Sequence, residues 1–218
     1  MVSASTPSGP GGPPSSGTLP GPTPALELAV SDLERHFRKQ VQRALNIELD
    51  GSVASLAFVD HYLGLARDER REPILDLLAA SAGAYFGELV RREFGGIWVG
   101  SPDAPRRLRL LLGAQFLHFA PVALAYGAIL GREPEDDDLD LALHLDQRRG
   151  SEPGAESDAD WIEARLQAAA PVPEDQFYSL TTRYETIAWI VELLATRRAQ
   201  SGSEPRTYTL DDYSHALS

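Results

Sequence analysis

The sequence contains no cysteine. That absence removes thiol nucleophiles, thiolate zinc sites, iron–sulfur clusters and any disulfide framework together. Lysine is nearly missing as well: Lys39 stands alone against nineteen arginines. We read that bias as codon usage in a GC-rich bacterial genome, and it leaves almost no room for Schiff-base or P-loop lysine chemistry. Long apolar runs are also lacking. The stretches around Ile187 to Ala195 and Pro121 to Leu130 fall short of the ~20 residues a membrane span needs, so no membrane association is expected. The N-terminus has neither a basic leader nor an apolar core segment, which makes the cytoplasm the expected location.

Basic charge is scarce in the way that matters for nucleic acid. A binder of phosphate backbones relies on Lys and Arg, and the chain offers no basic stripe of that kind beyond the local Arg67, Arg70 and Arg71 cluster. The net charge is −12, and residues 133–160 alone hold eleven acids against two arginines. Nucleic acid is therefore not an expected partner. A basic protein attracted to that acidic segment is.

What remains is ordinary for a globular chain: 218 residues, 43% apolar and 24% charged, enough for one full core plus tails. Residues 1–24 are almost wholly Pro, Gly, Ser and Thr and are expected to be disordered. A single domain is expected over 25–200, interrupted by the acidic segment and a mobile loop within 133–160. A polar tail covers 201–218, in which Tyr208, Leu210 and Tyr213 could dock.

Thr23-Pro24 reads as a helix N-cap followed by proline in the first turn. Leu26, Val30, Leu33, Phe37, Val41 and Leu45 then recur at helical spacing to about Asn46. A second helix follows Ser52, with Val53, Leu56, Val59 and Leu63 on its inner face. A third runs from about Pro73 to Phe94 and carries Ala79, Gly83 and Gly87 four residues apart. Two interior glycines on one helix face cost roughly 1 kcal/mol each. The expected return is close packing of a backbone or a large ring against that stripe.

Gly95-Gly96 closes this helix, and "IWVG" and "RLRLLLG" read as the strands of a hairpin at 97–113. Leu108, Leu110 and Leu112 alternate with Arg107 and Arg109, a half-buried antiparallel pattern. "QFLHF" could add a third strand. Pro121 opens another helix that ends at Gly131. Helices are expected again from Trp161 to Ala169 and from Pro173 to about Ala199, with "SLTTR" as a possible break capped by Thr181 or Thr182. The fold class expected is α+β: a helix-rich domain packed on a small antiparallel β-hairpin or sheet.

Chemistry-bearing patterns are few. Asp136, Asp138 and Asp140, with Asp137 between them, match the first three ligand positions of a calcium loop. The sixth position is Leu141 where glycine is needed, and the twelfth is Gln147 where glutamate is needed. Leu139, Leu141, Leu143 and Leu145 also ask for burial. An acidic turn at a helix N-terminus, followed by a buried segment that is helix or strand, explains the stretch without a metal. Asp60 and His61 are adjacent and point apart on a helix, and His118 and His144 each sit between apolar neighbours as structural rings. HExxH, G-x-S-x-G and the glycine-rich phosphate loops are absent. No metal, cofactor or confident catalytic residue is expected.

Glu88 is the one carboxylate with a catalytic setting, beside Tyr85 and near Trp98 if the hairpin folds back on the third helix. A carboxylate among aromatics can have a raised pKa and serve as acid or base. The alternative is an ion pair with Arg91, Arg92 or Arg109. Tyr85, Glu88, Trp98 and Arg109 form the candidate cluster. Gly83-Ala84-Tyr85-Phe86-Gly87-Glu88 followed by Gly95-Gly96-Ile97-Trp98 resembles the GAYxGE…GGxW core of small uncharacterised bacterial proteins, over residues 45–131. The resemblance implies helices packed on a small sheet and brings no activity with it. The functional expectation is a protein-binding, regulatory or immunity-type module, with an enzyme acting through the Glu88 cluster as the alternative.

Overall fold

The computed structural model describes residues 21–136, 138–148, 156–214 and 216–217. The N-terminal tail up to residue 20, Asp137, His215 and most of the expected mobile loop lie outside them. Among the described residues there are seven α-helices and a four-stranded antiparallel sheet, a helix-rich α+β fold.

Helix α1 (Pro24–Leu45) begins where Thr23 accepts the Leu26 N–H at 3.1 Å, with proline in its first turn. It ends at Asn46 in the left-handed conformation, φ 56°. A turn of 3-10 helix at 53–55 leads into α2 (Leu56–Leu65). Helix α3 (Glu72–Phe94) is the central element, buried from Leu78 to Gly87, and it packs on α1 and on α4 (Pro121–Leu130). By length and composition α3 could cross a membrane, and 67% of its apolar window is covered by the rest of the chain. Sequence inspection passed over it because its apolar content is spread over alanine and glycine instead of a block of large side chains.

The glycine stripe explains how α3 and α4 come so close. A Cβ on Gly83 would stand 2.6 Å from Val122 Cα and 2.7 Å from Val122 N, so the α4 backbone itself occupies that space. A Cβ on Gly87 would run into the six-membered ring of Trp98. One glycine admits a backbone and the next admits a ring.

The sheet is a meander in the order β1 (Gly96–Val99), β2 (Arg109–Leu112), β3 (Leu117–Phe119), β4 (His144–Leu145), all neighbours antiparallel. Its inner face sends Trp98, Leu110, Leu112, Leu117 and Phe119 into the main core. The outer face is covered too. Val99, Leu111 and Phe116 form a second core with Tyr213, against which Tyr208, Leu210 and Leu217 pack. The half-buried alternation therefore holds only up to Arg109, and beyond it Leu110, Leu111 and Leu112 are all buried. Tyr213, on the short helix α7 (Leu210–Tyr213), accepts the Leu117 N–H at 2.9 Å with its hydroxyl, which also lies 2.8 Å from the Leu112 carbonyl.

Two expectations are corrected. The segment 138–149, open between helix and strand in the sequence, contributes the two residues of β4, His144–Leu145, but the acidic turn opens no helix among the described residues, and its Asp136 and Asp140 meet arginines instead of a helix dipole. Helix α6 (Leu180–Gln200) starts seven residues after Pro173, capped by Ser179 and not by Thr181 or Thr182, and Phe177 lies outside it. The start is fixed by Asp60 on α2, which accepts hydrogen bonds from Leu180 N, Thr181 N and Thr181 Oγ1. Helix α5 (Asp158–Ala168), capped by Ser157, precedes it.

Candidate functional site

The expected cluster divides between the two faces of the sheet. Trp98 pairs with Leu110 across β1 and β2, so both face inward, toward α3. Arg109 is one residue away and pairs with Val99, so it points to the opposite face. Glu88 and Trp98 do meet: the indole Nε1 donates to Glu88 Oε1 at 2.7 Å. Arg91 adds a two-pronged pair at 2.8 Å to each carboxylate oxygen. Burial pushes the Glu88 carboxyl up, but the Arg91 and Trp98 hydrogen bonds outweigh it and hold the group below its ordinary value. That is the reverse of a raised, proton-donating glutamate. Tyr85 is fully buried, turned toward Phe37, and its hydroxyl is 2.6 Å from Ser55 Oγ. The geometry makes Glu88 a tie between α3 and β1.

The sheet's outer face assembles a different group. His118 on β3 and His144 on β4 are direct cross-strand partners. Their rings stack with centroids 4.7 Å apart and planes 10° from parallel. His144 Nε2 lies 2.6 Å from Asp140 Oδ2, and Arg109 Nη2 donates to the same oxygen at 2.8 Å. The Ala142 N–H reaches the other oxygen of Asp140 at 3.0 Å. With Asp140 ionised, Nε2 carries the hydrogen of that bond. The His144 hydrogen bond, joined by those from Arg109 and Ala142, overcomes burial and holds the Asp140 carboxyl well below the usual carboxylate range. His118 is 4% exposed. Burial, reinforced by His144 and Arg109, pushes it down to about 3, so it is neutral at ordinary pH.

Both histidines line two adjoining clefts. One, of about 410 Å³, runs along Phe116, Leu145, Gln147 and Arg148. The other, of about 330 Å³, is walled by Arg106, Arg107, Arg109, Asp138 and Asp140. Two buried polar atoms of this group, Arg109 Nη1 and His118 Nδ1, have no hydrogen-bond partner among the described residues. No set of three or more metal-ligating side chains among the described residues is placed to hold an ion.

The acids expected to form an attractive surface are largely engaged within the chain. Asp136 pairs with Arg106 at 2.8 Å, Asp140 with Arg109, Asp146 with Arg148 at 2.7 Å and Glu135 with Arg132 at 2.9 Å. Asp138 reaches Arg107 loosely, at 3.7 Å, with both side chains mostly exposed. The sequence did carry a signal for the histidine pair. His118 and His144 each stand between apolar residues, and in an extended strand that pattern turns them away from the core together.

A further opening borders the 141–145 segment. It is a groove of about 860 Å³ between Leu141, Leu143, the 169–172 turn and α6, with Leu166, Val172, Phe177 and Trp189 exposed along it. Comparison with protein-family models, curated proteins and solved structures found no match to this chain.

Proposed function

We propose that this protein is a binding module whose groove beside α6 accepts a basic amphipathic segment of a partner protein. The observation that carries it is the concentration of exposed apolar side chains, Leu166, Val172, Phe177 and Trp189, in one concave surface. Exposed apolar groups gathered in one place mark interaction surfaces, whereas single ones do not. The charges around the groove supply the second half of the argument. Glu185 lines the groove and is exposed, as are Glu174 and Asp175 between its Val172 and Phe177, and Glu192 three residues along α6 from its Trp189. Two nearby cations, Arg165 on the Trp161 ring and Arg183 on the Phe177 and Tyr178 rings, keep their charge and are outnumbered by these four acids. Apolar anchors would enter the groove while lysines or arginines of the partner meet the acidic rim. A basic partner would meet this rim, because in residues 133–160 Glu135, Asp136, Asp138, Asp140, Asp146 and Asp158 already pair with arginines of the chain.

An enzymatic role for the Tyr85, Glu88, Trp98 and Arg109 cluster has no comparable support, since its members do not share a face and Glu88 is held by Arg91 and Trp98.

The test is titration of the full chain with a designed helical peptide of leucines and lysines, read by Trp fluorescence and by anisotropy of a labelled peptide. Micromolar binding that falls at least about tenfold in Trp189→Asp and Phe177→Asp, with unchanged circular dichroism, supports the reading. Equal binding by an otherwise identical glutamate-containing peptide, or indifference to both substitutions, refutes it. A groove-dependent dimer by light scattering would assign the surface to a second copy and also refute it.

A further inference from the structure

We propose that the cleft between Arg107, Arg109 and His144 is a phosphate site, for free phosphate or the phosphate group of a small ester, independent of the groove beside α6. Three arginines from one short stretch, Arg106, Arg107 and Arg109, wall this cleft together with the stacked histidines. Two of the guanidiniums are not fully occupied. Among the described residues Arg107 has only the 3.7 Å approach of Asp138, and its side chain is 66% exposed. Arg109 donates Nη2 to Asp140, while Nη1 is buried with no acceptor among the described residues. A guanidinium nitrogen can only donate, so what the cleft wants is a group rich in acceptor oxygens.

The carboxylates in the same wall do not close it to an anion. Asp140 is matched by Arg109, His144 and the Ala142 N–H. Asp138 is 70% exposed and free to swing into solvent when an oxyanion takes its place on Arg107. Asp140 also orients His144: with Nε2 committed to the carboxylate, the ring's Nδ1 has no partner among the described residues. Phosphate matches this arrangement better than a carboxylate does. Its unprotonated oxygens accept from the arginines, and a P–OH can donate to Nδ1. The adjoining cleft beside Phe116 and Leu145 has room for an organic body attached to the phosphate.

The experiment uses the full chain with ¹⁵N-labelled histidine, titrated with inorganic phosphate and, separately, phenyl phosphate, at ionic strength matched by sodium chloride. Saturable shifts of the His118 and His144 ring signals are expected, with His36 and His61 unmoved. Phenyl phosphate binding more tightly than phosphate assigns the site to an ester, and the reverse order to free phosphate. Arg107→Gln, an exposed position whose loss should leave the fold intact, is expected to weaken binding at least about fivefold, and Arg35→Gln on α1 not at all. No saturable shift with either probe, or the same affinity in Arg107→Gln as in the parent chain, overturns the proposal. Trp189→Asp keeps the two sites apart, because it leaves phosphate binding unchanged whether or not the groove binds peptide.

Discussion

The Asp60 carboxylate on α2 caps a helix that begins 120 residues later, accepting the Thr181 backbone N–H at 3.0 Å and its hydroxyl at 2.6 Å. The Leu180 N–H donates to the other oxygen at 2.7 Å. One side chain thus satisfies helix-start donors that would otherwise be orphaned and tethers α6 to α2.

Removing that carboxylate should therefore cost more than an ordinary cap. Asp60→Ala is expected to destabilise the protein by about 2 kcal/mol or more, the upper end of N-cap losses. Asp60→Asn, which keeps an acceptor, should recover part of it. Urea denaturation followed by circular dichroism measures both, and equal losses for the two variants would mean that packing and not capping links the helices.

The two glycines of α3 should respond differently to the same methyl group. Gly83→Ala drives a Cβ into the Val122 backbone. It is expected to destabilise by about 2–3 kcal/mol net of the helix propensity it gains. Gly87→Ala meets the Trp98 ring and Pro121 Cγ, which are side-chain atoms. Shrinking the ring should therefore relieve it: in a cycle with Trp98→Leu, the double variant is expected to lose less than the sum of the singles. Strict additivity at position 87 would show that the ring is not what the glycine accommodates.

Acid should weaken the protein through His118 before it reaches most carboxylates. The folded value, about 3, lies below the ordinary 6.5, so the unfolded chain takes up the proton first. Stability from this group is complete above about 6.5 and is lost as pH falls toward 3, at up to ~1.4 kcal/mol per pH unit. His118→Phe keeps a ring against Phe116 and Tyr213 without a titrating nitrogen. Its urea midpoints at about pH 7, 5 and 4 should decline less steeply than those of the parent. Parallel declines would remove His118 as the cause.

Much of the architecture was legible because local patterns and tertiary structure agreed. The Thr23-Pro24 cap, the α1 stripe, the glycine spacing in α3 and the double glycine that leads from α3 into β1 each state a local preference that the fold keeps. The misplaced parts depend on partners distant in sequence. The candidate cluster joined Arg109 to Trp98, but strand pairing places those two on opposite faces, and register is a property of two strands at once. The start of α6 is set by Asp60, which no inspection of residues 173–182 reveals. Leu111 was the overlooked clue to the second core: a leucine at the position where the arginine alternation called for solvent. The histidine pair needed β4, a strand only two residues long whose acidic approach imitates a helix start.

Tyr213 also has a bearing on how the chain is made. It is translated 96 residues after Leu117, whose N–H it accepts, and it completes the cover over Val99, Leu111 and Phe116. During synthesis these three side chains emerge from the ribosome long before their lid exists. The nascent chain therefore carries an uncovered sheet surface throughout the synthesis of the segment between Phe116 and Tyr213.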